Sequence, residues 1–348
     1  MANTKITNPE LFNLGASTSA TQLPVMTTTQ RIAMTGLSVG EMIFNSTTDK
    51  VEYFDGTKWY GITYEVIEFS VDYLIVGGGG AGASGFGGVQ GGGGGGGGFI
   101  TSLSGGSGGG SSSEPSFTLT VGTQYAVTVG SGAANVYTLS SSTPTSGGDS
   151  SVFNGVTALG GGSSRSYTSG NARASAGSPN YASGGGGTYT GGPGGSYPGS
   201  SSPSYRGYGG GNGSAAVFYG GGGGGAGGPG SNTVGGAGKL NAITGNSSLS
   251  YSGGAGANGY GNPRGGAGQS SQSGGNGISG AANTGGGGGG GLYNSGYGAD
   301  GGSGVVILRY PAGYTATSTL TYTDAPVTGS TDRVIAITGV GTGTVTFA

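Results

Sequence analysis

The chain contains no cysteine and no histidine among its 348 residues. Without cysteine it can form neither disulfide bonds nor thiolate metal sites, and it has no thiol nucleophile. Without histidine it lacks the base of a Ser-His-Asp triad and the imidazole ligands of a zinc site. These two absences remove the commonest hydrolytic and metal-dependent chemistries.

Charged residues are also scarce, with 11 Lys and Arg, 13 Asp and Glu, and a formal net charge of −2. The basic residues are scattered, so the electrostatic footprint of a nucleic-acid-binding protein is missing. No apolar run approaches the length of a membrane span, and the N-terminal segment has no apolar core of a signal peptide. We therefore expect no nucleic-acid partner and no export by a signal peptide.

What the chain has in excess is glycine, because 83 of its 93 glycines lie in residues 77–304, in runs as long as 91–98 and 285–291. Such a content is typical of disordered low-complexity chains. The 20 Tyr, the 10 Phe and the low charge argue against disorder. Since glycine loses more backbone freedom on folding than any other residue, a folded glycine-rich segment needs a partner for nearly every N–H and C=O group.

The spacing of the glycines narrows the possible structures. A strict Gly-X-Y period is absent, which excludes collagen. The remaining ordered form is a set of polyproline-II-like strands, three residues per turn, whose glycine contact faces let neighbouring backbones hydrogen-bond directly. We predict an all-β chain with a glycine-rich domain of packed polyglycine-II strands, a small N-terminal β-module and Thr-rich C-terminal strands.

Two ordinary strand sequences frame the glycine-rich segment, at residues 68–76 and 304–311. Both are apolar and β-branched, as buried strands are, and we predict that they pair and close the base of the domain. After Pro311 a Thr-rich alternation predicts two or three strands that cover a sheet edge.

Two hairpins are predicted inside the frame. Residues 117–121 and 125–129 alternate as two strands joined by a short turn. Residues 152–153 and 156–159 flank Asn154-Gly155, and Asn-Gly between apolar residues is the strongest local hairpin signal.

The first 68 residues form a separate module in this prediction. Thr28 or Thr29 is the expected cap of one short helix, and residues 41–44, 51–54 and 58–60 predict a three-stranded meander. A module of this size with few large apolar groups has a marginal core, so we expect it to dock on a partner or to trimerise. The alternative is a small self-sufficient β-domain. The predicted domains are 1–68, 69–311 and 312–348.

Two motifs that suggest nucleotide or carboxylate chemistry are weak. Residues 77–82 satisfy G-x-G-x-x-G, but a dinucleotide site needs a helix next, and the residues after them form a very poor helix. Between residues 77 and 311 the only acidic residues are Glu114, Asp149 and Asp300, too few for a paired-carboxylate site. We expect a protein that is not an enzyme and that carries no cofactor.

The residues best suited to bind a partner are aromatic residues and arginines between the glycine runs. Tyr offers a large rigid contact area with a polar tip, and Arg can bind carboxylates or phosphates of a cell-surface glycan. The densest cluster lies in residues 197–208. The alternative is that these tyrosines cover glycine strands. The predicted contact residues are Tyr189, Tyr197, Tyr205, Arg206, Tyr208 and Tyr219.

The chain resembles bacteriophage tail-fibre and adhesin proteins. The segment Gly40-Glu-Met-Ile-Phe44, continued by Asp49-Lys-Val-Glu-Tyr-Phe-Asp-Gly-Thr-Lys-Trp59, is similar to a short β-module near the start of phage fibre proteins. The segments Asp72-Tyr-Leu-Ile-Val-Gly-Gly-Gly-Gly80 and Gly304-Val-Val-Ile-Leu-Arg-Tyr-Pro311 resemble those of glycine-rich domains in viral structural proteins. The resemblance implies a polyglycine-II sandwich whose far-end loops contact the bacterial surface. The chain departs from T-even-like tip adhesins in its N-terminal module and its Thr-rich tail.

From this resemblance we expect a virion protein, exposed on the particle after assembly in the host cytoplasm. We expect it to be a homotrimer that joins other tail or fibre-base proteins and binds a host glycan or outer-membrane protein without catalysis. The alternative is a capsid or head-fibre decoration without a specific receptor. A fibre enzyme that degrades polysaccharide is the third hypothesis. Attachment or oligomerisation is assigned to the aromatic residues of the N-terminal module, namely Phe44, Tyr53, Phe54 and Trp59.

Overall fold

A computed structural model describes nine ranges of the chain and divides it into two compact units, Met1–Val66 and Ile67–Ala348. The structure is all-β, as predicted, with one five-residue helix in the part that is described. The described residues are 23–63, 66–85, 88–135, 148–164, 182–187, 206–214, 219–257, 275–292 and 296–348.

The first unit contains a four-stranded sheet and the helix. Its elements are β1 (Val25–Met26), α1 (Thr28–Ile32), β2 (Met42–Asn45), β3 (Lys50–Phe54) and β4 (Trp59–Ile62). The sheet has the order β1-β2-β3-β4, in which β2, β3 and β4 form the predicted antiparallel meander and β1 adds to β2 in parallel.

The predicted helix cap was one residue too late, because the N-cap is Thr27 rather than Thr28 or Thr29. The Thr27 hydroxyl accepts a hydrogen bond from the Gln30 N–H at 3.2 Å, and the Gln30 side chain accepts one from the Thr27 N–H at 2.8 Å. This reciprocal capping box satisfies two N–H groups and fixes the start of α1.

The second unit begins with β5 (Glu68–Val76) and ends with β17 (Gly341–Phe347). Its β-strands lie before, between and after the glycine runs. The strands between these two are β6 (Phe99–Thr101), β7 (Phe117–Thr120), β8 (Gln124–Val129), β9 (Ser151–Phe153), β10 (Val156–Ala158), β11 (Lys239–Leu240), β12 (Ser250–Tyr251), β13 (Val305–Pro311), β14 (Ala316–Ser318), β15 (Tyr322–Pro326) and β16 (Asp332–Ile337).

Two sheets of the second unit enclose its main apolar core. One sheet runs β15-β16-β13-β5-β6 with β7 also paired to β5, and the other runs β10-β9-β8-β17-β14. The strands β5 and β13 pair antiparallel, as predicted, with Val76 opposite Val305. Alternate side chains such as Tyr73, Leu308 and Phe347 fill the space between the sheets and are almost fully buried.

One predicted hairpin is confirmed and the other is wrong. The strands β9 and β10 pair across Asn154 and Gly155, whose φ angles of 45° and 80° suit a turn with two left-handed residues. The strands β7 and β8 both form, but β7 pairs with β5 in one sheet, whereas β8 pairs with β9 and β17 in the other. This arrangement lets Leu119 and Val127 enter the same core from opposite layers.

The C-terminal segment contributes four strands instead of the predicted two or three. The strand β16 covers the free edge of β13, as expected, and β15 extends that sheet. The strand β17 was predicted to cover an edge, but it lies between β8 and β14 inside the second sheet. Its side chains Val345 and Phe347 are fully buried, so burial rather than edge protection determines its place.

The glycine strands form a lattice with a hydrogen-bonding period of three. In the buried strand of residues 91–98, the N–H groups of Gly91, Gly94 and Gly97 all donate to one neighbour, residues 285–291, at 2.9 Å. Those of Gly93 and Gly96 donate to a second neighbour, residues 221–224, at 2.9–3.0 Å. A repeat of three residues per turn is that of the polyproline-II helix, so the predicted polyglycine-II packing is confirmed.

The same strand has six neighbours. The N–H groups of Gly95 and Gly98 donate to residues 159–162, and C=O groups of the strand accept from three further segments, around residues 77–83, 186 and 252–255. A Cβ built on Gly94 would lie 2.1 Å from the Gly80 oxygen, which shows how closely the backbones approach. Direct backbone bonding on all sides thus replaces side-chain packing in this part of the unit.

Candidate functional site

In the part of the chain that the structure describes, the glycine lattice has two ends, and one of them is continuous with the β-sandwich. At this near end the strands continue into the sheets, as at Val76–Gly77, Gly98–Phe99 and Gly304–Val305. At the far end, about 25 Å away at ~3.1 Å per residue, the Gly85 N–H donates to the Gly296 carbonyl at 2.8 Å. At this end the strands that stop at Gly85 and Leu292 are followed in sequence by the strands that begin at Gly91 and Gly296.

Two predicted contact residues, Arg206 and Tyr208, lie at the near end. The Arg206 carbonyl accepts from the Phe99 N–H at 3.3 Å, and its guanidinium forms an ion pair with Glu114. The Arg206 side chain is 12% exposed, and its φ of +54° is uncommon for a residue other than glycine. Tyr208 places its hydroxyl beside Gly110. Both residues therefore contact the segment between β6 and β7.

A third predicted residue, Tyr219, lies at the far end. Its carbonyl accepts from the Ser214 N–H at 2.9 Å, and its side chain is partly exposed. Since six residues of one strand separate Tyr208 from Ser214, Tyr219 is roughly 19 Å from Tyr208 along the lattice. The structure therefore does not bring the described members of the predicted set together. Tyr189, Tyr197 and Tyr205 lie outside the described residues, and a receptor role for any of the six stays a prediction.

The G-x-G-x-x-G segment forms a lattice strand. The Gly77, Gly79 and Gly80 N–H groups donate to lattice carbonyls at 2.8–3.0 Å, so they are not directed at a ligand. The acidic residues of the domain also have partners within the fold. Glu114 pairs with Arg206, Asp149 accepts from the Ser131 hydroxyl, and Asp300 accepts from the Asn135 N–H.

Neither a metal centre nor a membrane span is found in the described ranges. No group of three or more Asp and Glu side chains in them is close enough to hold a metal ion. No helix there has the length and apolar character of a membrane span.

Two buried tyrosines in the sandwich have altered acidity. Burial raises the pKa of Tyr310 to about 12, and its hydroxyl donates to Asp324 at 2.8 Å, which acts in the same direction. Arg333 binds the same carboxylate at 3.0 Å. Burial also raises the pKa of Tyr73 to about 12. Both hydroxyls are therefore protonated at neutral pH, which is the ordinary state of a phenol.

The four residues assigned to attachment lie on two different faces of the first unit's sheet. Pairing places Phe44 opposite Val51 and Tyr53 opposite Tyr60 on one face. Phe54 pairs with Trp59 on the other face, with ring centroids 5.4 Å apart. The four residues therefore form one pair on each face, and their role in attachment or oligomerisation stays a prediction.

These features define a class of protein, one built on a scaffold of glycine strands that continue from a β-sandwich. Comparison with protein families identifies the class. The chain belongs to the glycine-rich domain family, whose model matches residues 57–311, most of the chain. A second family model, described as a phage tail-like trimerisation region, matches residues 3–73. Neither the curated proteins nor the solved structures give a match.

The two matches together indicate a phage tail fibre-type protein. They indicate a virion component with a structural role in the tail, and the trimerisation region supports a homotrimer. The sequence motifs at residues 40–59 and 72–80, which suggested the same class, lie inside the matched regions.

Proposed function

We propose that this protein is a tail fibre or fibre-tip adhesin that attaches the particle to the host cell surface by non-catalytic binding. The observation that carries the proposal is the far end of the glycine lattice. There, strands held by backbone hydrogen bonds end side by side, and the connecting segments leave from fixed positions. Such an arrangement suits the presentation of binding loops.

The rigidity of the scaffold supports this role. The strands that end at Gly85, Gly91 and Leu292 are linked by bonds of 2.8–3.3 Å to one another and to residues 275 and 296. A second group of ends is linked in the same way, since the Gly221 N–H donates to the Gly187 carbonyl at 2.7 Å. Binding loops supported by a rigid framework lose less conformational freedom on binding.

The segments that follow these ends in sequence have the composition of a binding surface. Tyr189 comes two residues after Gly187, and Tyr293 comes directly after Leu292. The segment 188–205 between two lattice strands is rich in Ser, Tyr and Pro and contains no charged residue. Tyr and Ser together supply rigid contact area and adaptable hydrogen bonds, as in antibody paratopes. We propose a neutral polar ligand such as a surface glycan.

Trimerisation makes weak contacts sufficient. Three identical far ends on one fibre, and several fibres on one particle, convert later binding events into intramolecular ones, which raises avidity without new contacts. The proposed partners are therefore a host glycan or outer-membrane protein on one side and other tail proteins on the other.

The test is binding of the purified, fluorescently labelled protein to a panel of bacterial strains. The test variant is Tyr189→Ser combined with Tyr197→Ser, which leaves the lattice strands intact. The matched control is Leu240→Ser, since Leu240 is 62% exposed on β11 in the same unit. We expect strain-selective binding that the double variant loses and the control keeps.

Three other results would contradict the proposal. Equal binding by the double variant would remove these tyrosines from the contact surface. Absence of binding to every strain, including a host on which the phage grows, would favour a decoration without a receptor. Release of soluble sugar from purified cell-surface polysaccharide would show a fibre enzyme instead.

A further inference from the structure

The sheet of the first unit has one face made only of apolar and aromatic side chains. Strand pairing places seven residues there, because partners opposite each other in a sheet point to the same side. We call this the apolar face. It consists of Val25, Met42, Phe44, Val51, Tyr53, Tyr60 and Ile62.

The opposite face carries the polar groups, and it is the face that the helix covers. Asn45 is fully buried and Glu52 is 4% exposed, although both are polar. Arg31 on α1 binds Glu52 at 2.6 Å, and Thr28 on α1 accepts from Asn45 at 3.0 Å. The single chain therefore covers the polar face of this sheet with its own helix.

The apolar face is at least partly open in the single chain. Val25 is 57% exposed and Tyr60 is 38% exposed, and the other five side chains are partly buried. The rings of Tyr53 and Tyr60 stack at 5.5 Å, which gives the face a flat aromatic surface. A sheet must bury its apolar face against another layer to be stable, and a unit this small has little core of its own.

We propose that the apolar face is the contact between copies of this chain, so that three such faces surround a common threefold axis. The proposal rests on the homotrimer assigned above and names the surface that forms it. The trimerisation match covers the whole sheet, from residue 3 to residue 73. Three copies of one flat apolar face around an axis enclose a shared core, which the single unit lacks.

The distribution of charge also supports contact between copies of this chain at the apolar face. The apolar face has no ionisable group except the two tyrosine hydroxyls, so three identical faces meet without burying like charges, which would cost several kcal/mol for each unpaired ion. The nearest charge is the Lys58 ammonium, 4.8 Å from the centre of the Tyr60 ring. At the rim of an interface such a cation remains hydrated while its stem covers the aromatic ring.

The face accounts for part of the interface only. A stable interface uses about 20–30 residues on each side, and the apolar face has seven. The remainder of the contact belongs to other residues of the matched region. The alternative occupant is the chain's own N-terminal segment, residues 1–22, folded over the face of the same copy.

The test compares aspartate substitutions at exposed apolar residues on and off the face. Tyr60→Asp and Val25→Asp lie on it, and both residues are already exposed in the single chain, so the substitution leaves the monomer fold intact. Ile32→Asp and Val39→Asp are the controls, since these residues are 72% and 75% exposed in the same unit but off the face. Mass is measured by light scattering on the full chain, and Trp59 emission checks the fold.

We expect the wild-type chain and both controls to be trimers, and both face variants to be monomers at the same concentration. This corresponds to a loss of at least ~100-fold in assembly, because three carboxylates would be brought together in the core. A trimer that is insensitive to both face variants, or equally sensitive to the controls, would overturn this interface and leave the trimer standing. A monomeric wild-type chain would overturn the trimer as well as this interface.

Discussion

Replacing Gly288 by alanine adds one methyl group to the interior of the glycine lattice. Gly288 lies in a buried strand. Its N–H donates to the Gly80 carbonyl, and its own carbonyl accepts from the Gly94 N–H, both at 2.9 Å. A Cβ at this position would lie 2.1 Å from the Ala299 carbonyl oxygen and 2.5 Å from that of Asp300. The obstacle is backbone, so no side chain can rotate away.

The cost follows from the distance that the neighbouring strand must move. Ordinary contact requires at least 3.4 Å, so the strand that contains Ala299 must retreat by more than about 1 Å. That displacement breaks the bonds that Ala299 makes with Gly82 and Gly289, now 2.9 and 3.0 Å long. Two lost bonds cost about 1–3 kcal/mol, and overpacking costs typically about 1–3 kcal/mol more. The lower entropy of the unfolded alanine chain returns only about 0.4–1 kcal/mol.

We therefore expect Gly288→Ala to lower the free energy of unfolding by at least ~1 kcal/mol, a fall in Tm of roughly 2–4 °C or more. Calorimetry at fixed protein concentration measures it. Tryptophan emission cannot, because the single Trp59 belongs to the other unit. The control is Gly313→Ala, since Gly313 has no atom within 4 Å of an added Cβ. Equal Tm values for Gly288→Ala, Gly313→Ala and the wild type would refute the close-packed lattice.

Two further predictions concern the second unit. Because the pKa of Tyr310 and of Tyr73 is about 12 in the folded unit and about 10 in the unfolded chain, the folded state holds these protons more tightly. The contribution of these two tyrosines to the free energy of unfolding should be fully present below pH ~10 and should be lost as the pH rises towards 12. Urea titrations across this pH range should show a smaller loss for Tyr310→Phe than for the wild type. Glu114→Ala and Arg206→Ala should each cost about 1–2 kcal/mol, with a coupling energy in the double-mutant cycle; strictly additive effects would contradict a direct ion pair.

The sequence predicted the strands better than their partners. The pairing of β5 with β13 and the β9–β10 hairpin follow from local signals, namely β-branched runs and an Asn-Gly turn. The partners of β7 and β8 do not follow from local signals, because two short alternating strands can pair with each other or enter opposite layers of a sandwich. Which choice buries more apolar surface depends on β5 and β17, which are distant in sequence. The same reason explains why β17 was predicted at an edge.

The candidate site was predictable in kind and not in position. Tyr208 and Tyr219 were predicted as members of one contact set, but the strand between them separates the two ends of the lattice. Arg206 has the residue type of a ligand-binding group, yet its guanidinium binds Glu114, and no local signal links residues 92 positions apart. The apolar face was partly visible, since Phe44 and Tyr53 were assigned to assembly. The strand register, which places Phe54 and Trp59 on the opposite face of the sheet, is seen only in the structure.

The lattice itself explains why the glycine pattern defines the fold so much better than the role. In the strand of residues 91–98 the backbone groups are used for hydrogen bonds to six neighbours, and there is no room for a Cβ at positions such as Gly94. Strands of this kind can carry no binding side chain in their interior. The proposed binding function therefore belongs to the connecting segments at the lattice ends, whose sequence the lattice does not constrain. A rigid core with unconstrained connections lets the same scaffold present different loops, so specificity can change while the glycine strands stay the same.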